Sequence, residues 1–167
     1  MTSQTEITVN WETLTEWVGA APDWVNRVFS CDCAERALRR YVQEDHEVWE
    51  CLKTARDFAE GREYTGEFMN ETWDRMMNTM RRATGGSRRA KLAVTWACAS
   101  FRFSSIAAIE AAKAGGELDW AILHFLHLLK EYNAARSTLI AVISARADVV
   151  MRTVTQYART LEERVFE

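Results

Sequence analysis

At 167 residues the chain is long enough for one domain that buries roughly 70% of its unfolded surface. Seven Gly and one Pro against 48% hydrophobic and 27% charged residues leave too few turn-formers for a many-stranded β protein, so an all-α fold is expected. The net charge of −3 and pI near 5.7 argue against a nucleic-acid binder, and no run of about 18 uncharged apolar residues offers a membrane span.

The first ten residues are polar, with neither a basic start nor an apolar stretch after it, which predicts a flexible N-terminus over residues 1–9 and a cytoplasmic, non-exported protein. Asn10 is placed to cap a short helix carrying Trp11, Leu14, Trp17 and Val18 and ending near Gly19. Pro22 restarts the chain. Asp23 to Phe29 reads as a further helical stretch, and Ser30 as the cap of the next, with Ala34, Ala37, Leu38, Tyr41 and Val42 at helical spacing. Gln43-Glu44-Asp45 reads as a turn whose Asp45 caps a helix from His46 to Glu60, with the apolar stripe Val48, Cys51, Leu52, Ala55, Phe58 and Ala59. Gly61 stands where a left-handed C-terminal cap belongs. After Gly66 a helix with Met69, Trp73, Met76, Met77 and Met80 closes before Gly85-Gly86.

The spacing predicts one helix from about Arg88 to Ala114, apolar almost all round, with Lys91, Arg102 and Lys113 on one line because eleven residues make about three turns. From Glu117 onward a three-four apolar repeat continues with no Gly or Pro. An uninterrupted helix to Glu167 would be about 75 Å long, so a break is expected near Asn133 to Ser137, with Asp148 as a second candidate. Unbroken, the segment 117–167 would be a coiled-coil arm through which the chain forms a homo-oligomer. The expected architecture is thus a single-domain bundle of six or seven helices. Trp17, Trp24, Trp49, Trp73 and Trp96 are most simply core, and Cys31, Cys33, Cys51 and Cys98 read as reduced, buried thiols.

Charge is unevenly spread. Residues 1–80 hold 16 acidic and 8 basic residues, net −8, whereas 81–167 hold 8 acidic and 13 basic, net +5. Arg81, Arg82, Arg88, Arg89 and Lys91 gather around one interhelical loop, and bases at a helix N-terminus oppose its dipole, so phosphate contacts or an acidic partner would offset their placement, a surface loop with no ligand being the simpler reading. Glu44, Asp45 and Glu47, with Glu50, Glu60 and Glu63, form an acidic counterpart able to steer a basic partner.

Two other constellations carry chemistry in principle. Glu117, His124, His127 and Glu131 share one face of a helix, as ligands of Zn²⁺ or Fe²⁺ would, yet no Glu-x-x-His pair on facing helices and no His-Glu-x-x-His accompanies them. The four cysteines lack the two-residue knuckle spacing of thiolate zinc sites. With no nucleophilic triad, phosphate loop or dinucleotide fingerprint, the expectation is a non-catalytic protein without cofactor or metal.

The run Asp32-Cys33-Ala34-Glu35-Arg36-Ala37-Leu38, followed by Ala55-Arg56-Asp57-Phe58-Ala59-Glu60-Gly61, resembles the immunity proteins linked to bacterial polymorphic toxin systems, whose relatives also occur in phage genomes. The matching positions are Cys33, Ala34, Glu35, Arg36, Leu38, Arg56 and Gly61, and the resemblance covers about residues 10–115. It departs where Phe58 replaces a Trp, where the connection lacks a proline-rich element, and from Leu118 onward. The resemblance implies a small helical binding protein that neutralises a toxin domain by occlusion, and it brings no catalytic residues. A homo-oligomeric scaffold is the alternative, and a metal-binding helical protein a third.

Overall fold

Seven helices follow one another among the described residues, with no strand: α1 Trp11–Ala20, α2 Asp23–Tyr41, α3 His46–Ala59, α4 Gly66–Arg81, α5 Gly85–Ala99, α6 Ser104–Gly115 and α7 Leu118–Val165. The computed structural model describes the backbone of residues 10–42 and 44–165, and side chains throughout 10–42 and 44–137 and at 145, 152, 153, 155 and 156. The expected flexible stretch 1–9 and Gln43 of the expected turn lie outside the described residues. The chain divides into two compact units, Met1–Leu129 and Lys130–Glu167.

In the first unit α2, α5 and α6 pack pairwise on one another; α3 lies against α2 and α5, α4 against α5 and α3, and α1 against α6. Small residues make this close approach possible. Ala90, Ala93, Val94, Ala97 and Cys98 of α5 repeat at three and four residues and are all fully buried. They face Cys31, Ala34 and Leu38 of α2, Val48, Cys51, Leu52 and Ala55 of α3, and Met76 of α4 in one core cluster. The larger anchors Phe29, Leu38, Met69, Met76 and Phe125 are likewise sealed from water, each worth about 1.5–3 kcal/mol of burial.

Several boundaries follow local chemistry. The Asn10 side chain accepts from the Thr13 amide at 3.0 Å, that of Asp45 from Val48 at 3.3 Å, and that of Thr65 from Phe68 at 3.1 Å. Gly61, at φ +102°, ends α3 as expected. The Gly61 amide bonds the Phe58 carbonyl and the Arg62 amide bonds that of Asp57, the paired 5→2 and 6→1 bonds of a Schellman cap.

Four expectations are corrected. Ser30 starts no helix: α2 runs unbroken from Asp23 to Tyr41, and the buried Ser30 hydroxyl donates to the Asn26 carbonyl one turn back at 2.8 Å.

The helix expected over 88–114 is two helices, α5 and α6, separated by Ser100–Phe103. The cause is tertiary. Arg27 of α2 donates from Nε to the Ser100 carbonyl at 3.2 Å and from Nη2 to the Phe101 carbonyl at 3.3 Å, while one turn earlier Asp23 accepts from the Ser104 hydroxyl at 2.6 Å. Phe101 meets Phe58 of α3 edge-on and Phe103 meets Trp73 of α4 in the same way. Lys91, Arg102 and Lys113 therefore do not share a helix line.

Thirdly, α7 shows no interruption at Asn133–Ser137 or at Asp148. No Gly or Pro is present there to break the hydrogen-bond ladder, and length alone does not interrupt a helix. Nor are the tryptophans sealed in the core: Trp17, Trp49, Trp73 and Trp96 are half-buried and Trp24 is exposed, as befits a side chain too large to be covered completely at a helix edge.

Candidate interaction site and its polar seam

Five charged residues recur along one flank of α2, Asp32, Glu35, Arg36, Arg39 and Arg40, at helical spacings of three, four, seven and eight from the first. On one side of this row Arg56 of α3 reaches across to Asp32 Oδ1 at 2.8 Å and to Glu35 Oε2 at 3.3 Å. On the other side lies the start of α7. Glu117 accepts from Arg36 Nε at 2.6 Å and from Arg40 Nη1 at 2.8 Å, one carboxylate oxygen to each arginine. The Arg36 guanidinium sits over the Trp120 ring at 4.6 Å, and Trp120 stacks on His124 at 4.7 Å with the rings 10° from parallel. His124 closes the row, its Nε2 lying 2.6 Å from Asp32 Oδ2.

The seam thus runs from α3 through α2 to α7 as two charge clusters, Arg56 with Asp32 and Glu35 and Glu117 with Arg36 and Arg40, joined by the Trp120–His124 stack. Its inner half is the more protected: the side chains of Asp32, Arg56 and His124 are 19%, 25% and 24% exposed, against 48% and 60% for Arg36 and Arg40. Burial works against the charge on Arg56, yet the hydrogen bond and negative charge of Asp32, aided by Glu35, outweigh it and raise its pKa above the ordinary value. Beside the outer half, a cavity of about 20 Å³ lined by Cys33, Ala37, Tyr41 and Ala121 has room for roughly one water.

The residues that carry the family resemblance all serve this architecture. Ala34 and Leu38 fill the core, Cys33 is buried at the cavity wall, Glu35, Arg36 and Arg56 form the seam, and Gly61 ends α3.

The four cysteines are free and buried. Burial pushes the Cys31 thiol up to about 12 and raises those of Cys33, Cys51 and Cys98 as well, so all four stay protonated at neutral pH and are poor nucleophiles. The Cys98 thiol points to the Cys51 carbonyl at 3.6 Å.

Among the described residues, no group of three or more His, Cys, Asp or Glu converges as metal ligands would. Glu117 and His124, which share a helix face, are turned to different partners, Glu117 to two arginines and His124 to Asp32. The His124 and His127 rings lie 6.3 Å apart, and Glu131 belongs to the second unit.

The structure divides the sequence-predicted contact residues. Asp45 spends its carboxylate on capping α3 and on Lys91, 3.4 Å away, and the Lys91 side chain is only 15% exposed. Glu47 faces Arg75 at 3.5 Å, whereas Glu44 is exposed. Lys91 is therefore not part of the basic corner, and Asp45 and Glu47 already have basic partners within the chain.

Arg81, Arg82, Arg88 and Arg89 are different. They are exposed, stand at the end of α4 and the start of α5, and make no ion pair among the described residues. The turn between them is set by Gly85 at φ +61°, and Gly86 packs against the Tyr41 ring, where a Cβ would lie 2.6 Å from Cε1. Thr84 makes no side-chain cap to α5, and the first turn of α5 has no acidic residue. The N-terminal dipole of α5 therefore adds to the charge of Arg88 and Arg89, while the C-terminal dipole of α4 offsets part of that of Arg81 and Arg82. Arg89 also lies beside Gly116, where α6 ends with φ +75°.

Sequence reasoning did not find the seam. Its signal was the charged row on α2, which needed an opposing set, and the complement comes from Arg56 at one side and Glu117 with His124 at the other.

No protein-family model, no curated protein and no solved structure matches this chain.

Proposed function

We propose that this chain is a non-catalytic helical protein-binding module, cytoplasmic and immunity-like, that acts by covering a surface of a toxin-like partner, with Arg81, Arg82, Arg88 and Arg89 as its contact face. One observation carries this reading: the charged side chains of the α2 seam are consumed by one another, whereas the four arginines of the α4–α5 corner make no ion pair among the described residues. A corner of one sign on a rigid helical turn suits an acidic protein surface, and its field would raise the rate of encounter. The occlusion mechanism follows from the resemblance borne by Cys33 to Leu38 and by Arg56 and Gly61, and it requires no chemistry from the chain itself. The acidic residues contribute less to such a face, because Asp45 and Glu47 already answer Lys91 and Arg75.

The test is affinity purification of the tagged full chain from its native host beside the Arg81/Arg82/Arg88/Arg89→Ala variant, with circular dichroism to verify that the variant folds. A stoichiometric partner that the folded variant loses is the expected result. A partner retained equally by the variant removes the arginine corner from the proposal, and the absence of any stoichiometric protein overturns the partner-binding reading.

A further inference from the structure

The second unit, Lys130–Glu167, holds a single helical segment among its described residues, the continuation of α7. A lone helix is marginal in water unless an apolar face is covered. Its sequence carries such a face. Ile140, Ile143, Ala147, Val150, Val154, Tyr157 and Leu161 follow one another at alternating steps of three and four, seven successive a and d positions over about three heptads. Upstream the same register meets Asn133 and Arg136, both exposed, which marks where the apolar run begins. Off the register, Ala145, Arg152, Thr155 and Gln156 are exposed as well.

We infer that residues 140–161 of α7 pair with the same stretch of a second copy of this chain in a coiled coil. Three features select a second copy as the occupant. The e and g positions that flank the stripe, Ser144, Arg146, Met151, Thr153, Ala158 and Thr160, hold a single charge, so the alternating charges by which a coiled coil chooses an unlike partner are missing. Residues 130–167 carry six basic and five acidic residues, and two copies therefore do not repel each other. The area is also within reach: at about 25 cal/mol per Å² and 1.5–3 kcal/mol per side chain, each large apolar residue removes roughly 60–120 Å². The six large residues of the stripe with Met151 beside them come to roughly 420–840 Å² on each chain, a range whose upper end reaches the ~800 Å² of a standard interface.

This pairing goes beyond the partner-binding reading and does not depend on it, since the arginine corner lies in the first unit. Sedimentation and native mass of the full chain at micromolar concentration would be compared with Val154→Arg, at an a position, and Ala145→Arg, at an f position. The expected result is a mass of two or more chains for the wild type and for Ala145→Arg, and of one chain for Val154→Arg. A wild-type monomer across the micromolar range, or an unchanged Val154→Arg assembly, overturns the proposal. Should Val154→Arg fail to fold, the wild type decides alone: its unfolding temperature rises with chain concentration if copies pair, and a concentration-independent midpoint rejects pairing.

Discussion

Asp32 and His124, 92 residues apart in sequence, meet at 2.6 Å, and this contact joins the first turns of α7 to the middle of α2. The other oxygen of Asp32 receives Arg56, so one carboxylate ties three helices together. Replacing it by Ala takes the carboxylate from a half-buried imidazole and leaves a half-buried guanidinium with Glu35 alone. Asp32→Ala is expected to cost about 1–3 kcal/mol, read as a lower urea midpoint with an unchanged slope. Glu117→Gln, whose arginine partners are far more exposed, should cost less than about 1 kcal/mol. Equal effects of the two changes would show that the inner half of the seam is not the stronger one.

Arg27 is the side chain on which the end of α5 depends. Arg27→Met keeps much of the apolar stem but removes the donors to the Ser100 and Phe101 carbonyls and the guanidinium that lies 5.2 Å from the Phe58 ring. A loss of about 1.5–3 kcal/mol is expected, accompanied by faster amide exchange at Arg102 and Phe103. Unaltered exchange there would mean that the phenylalanines alone fix the break.

At Gly86 the Tyr41 ring occupies the place a Cβ would take, so any larger residue must displace that ring. Gly86→Ala should destabilise by about 1–3 kcal/mol through overpacking, even though Ala is the better helix former by about 1 kcal/mol. In a Tyr41→Ala background the same change should become neutral or stabilising. Thermal melts of the four proteins in this cycle test it, and additivity of the two changes would remove the ring as the cause.

The thiols set an alkaline limit. Cys31 ionises near 12 when folded against an ordinary 9.0, because burial disfavours the thiolate. Below pH 9 both states hold the proton and this contribution to stability is complete; above it the unfolded chain ionises first, and stability falls as pH rises toward 12. The slope is up to about 1.4 kcal/mol per pH unit for each such thiol. Urea titrations at pH 8, 9 and 10 should show the decline, and Cys31→Ala should shrink it; a flat profile would contradict the burial of these groups.

What could be read from the sequence was local. Asn10 and Asp45 announce helix starts because a short polar side chain answers free amides there, and Gly61 announces a stop because it alone adopts positive φ without strain. The apolar stripe of α3 gives its buried face directly. What escaped depends on distant contacts. The apolar pattern across Ser100 to Phe103 is compatible with an unbroken helix, and the contacts at the break come from Asp23 and Arg27, more than 70 residues earlier, and from Phe58 and Trp73. Ser30 has the chemistry of a cap and uses it instead on its own helix. In the seam, Asp32, Arg36 and Arg56 stand out in the sequence only within the stretches that carry the resemblance, and their pairing with Glu117 and His124 depends on the fold. The arginine corner was visible as composition, but the removal of Lys91 to Asp45 was not.

The grip of Asp23 and Arg27 on Ser100–Ser104 also imposes an order on assembly. α2 leaves the ribosome long before α5 and α6, so on a nascent chain the clasp exists before the carbonyls it holds. A peptide covering 85–115 alone carries the helical pattern without the clasp, and in a helix-promoting solvent it should extend as one rod. On that outcome the elbow between α5 and α6 belongs to the assembled protein and not to the segment that contains it.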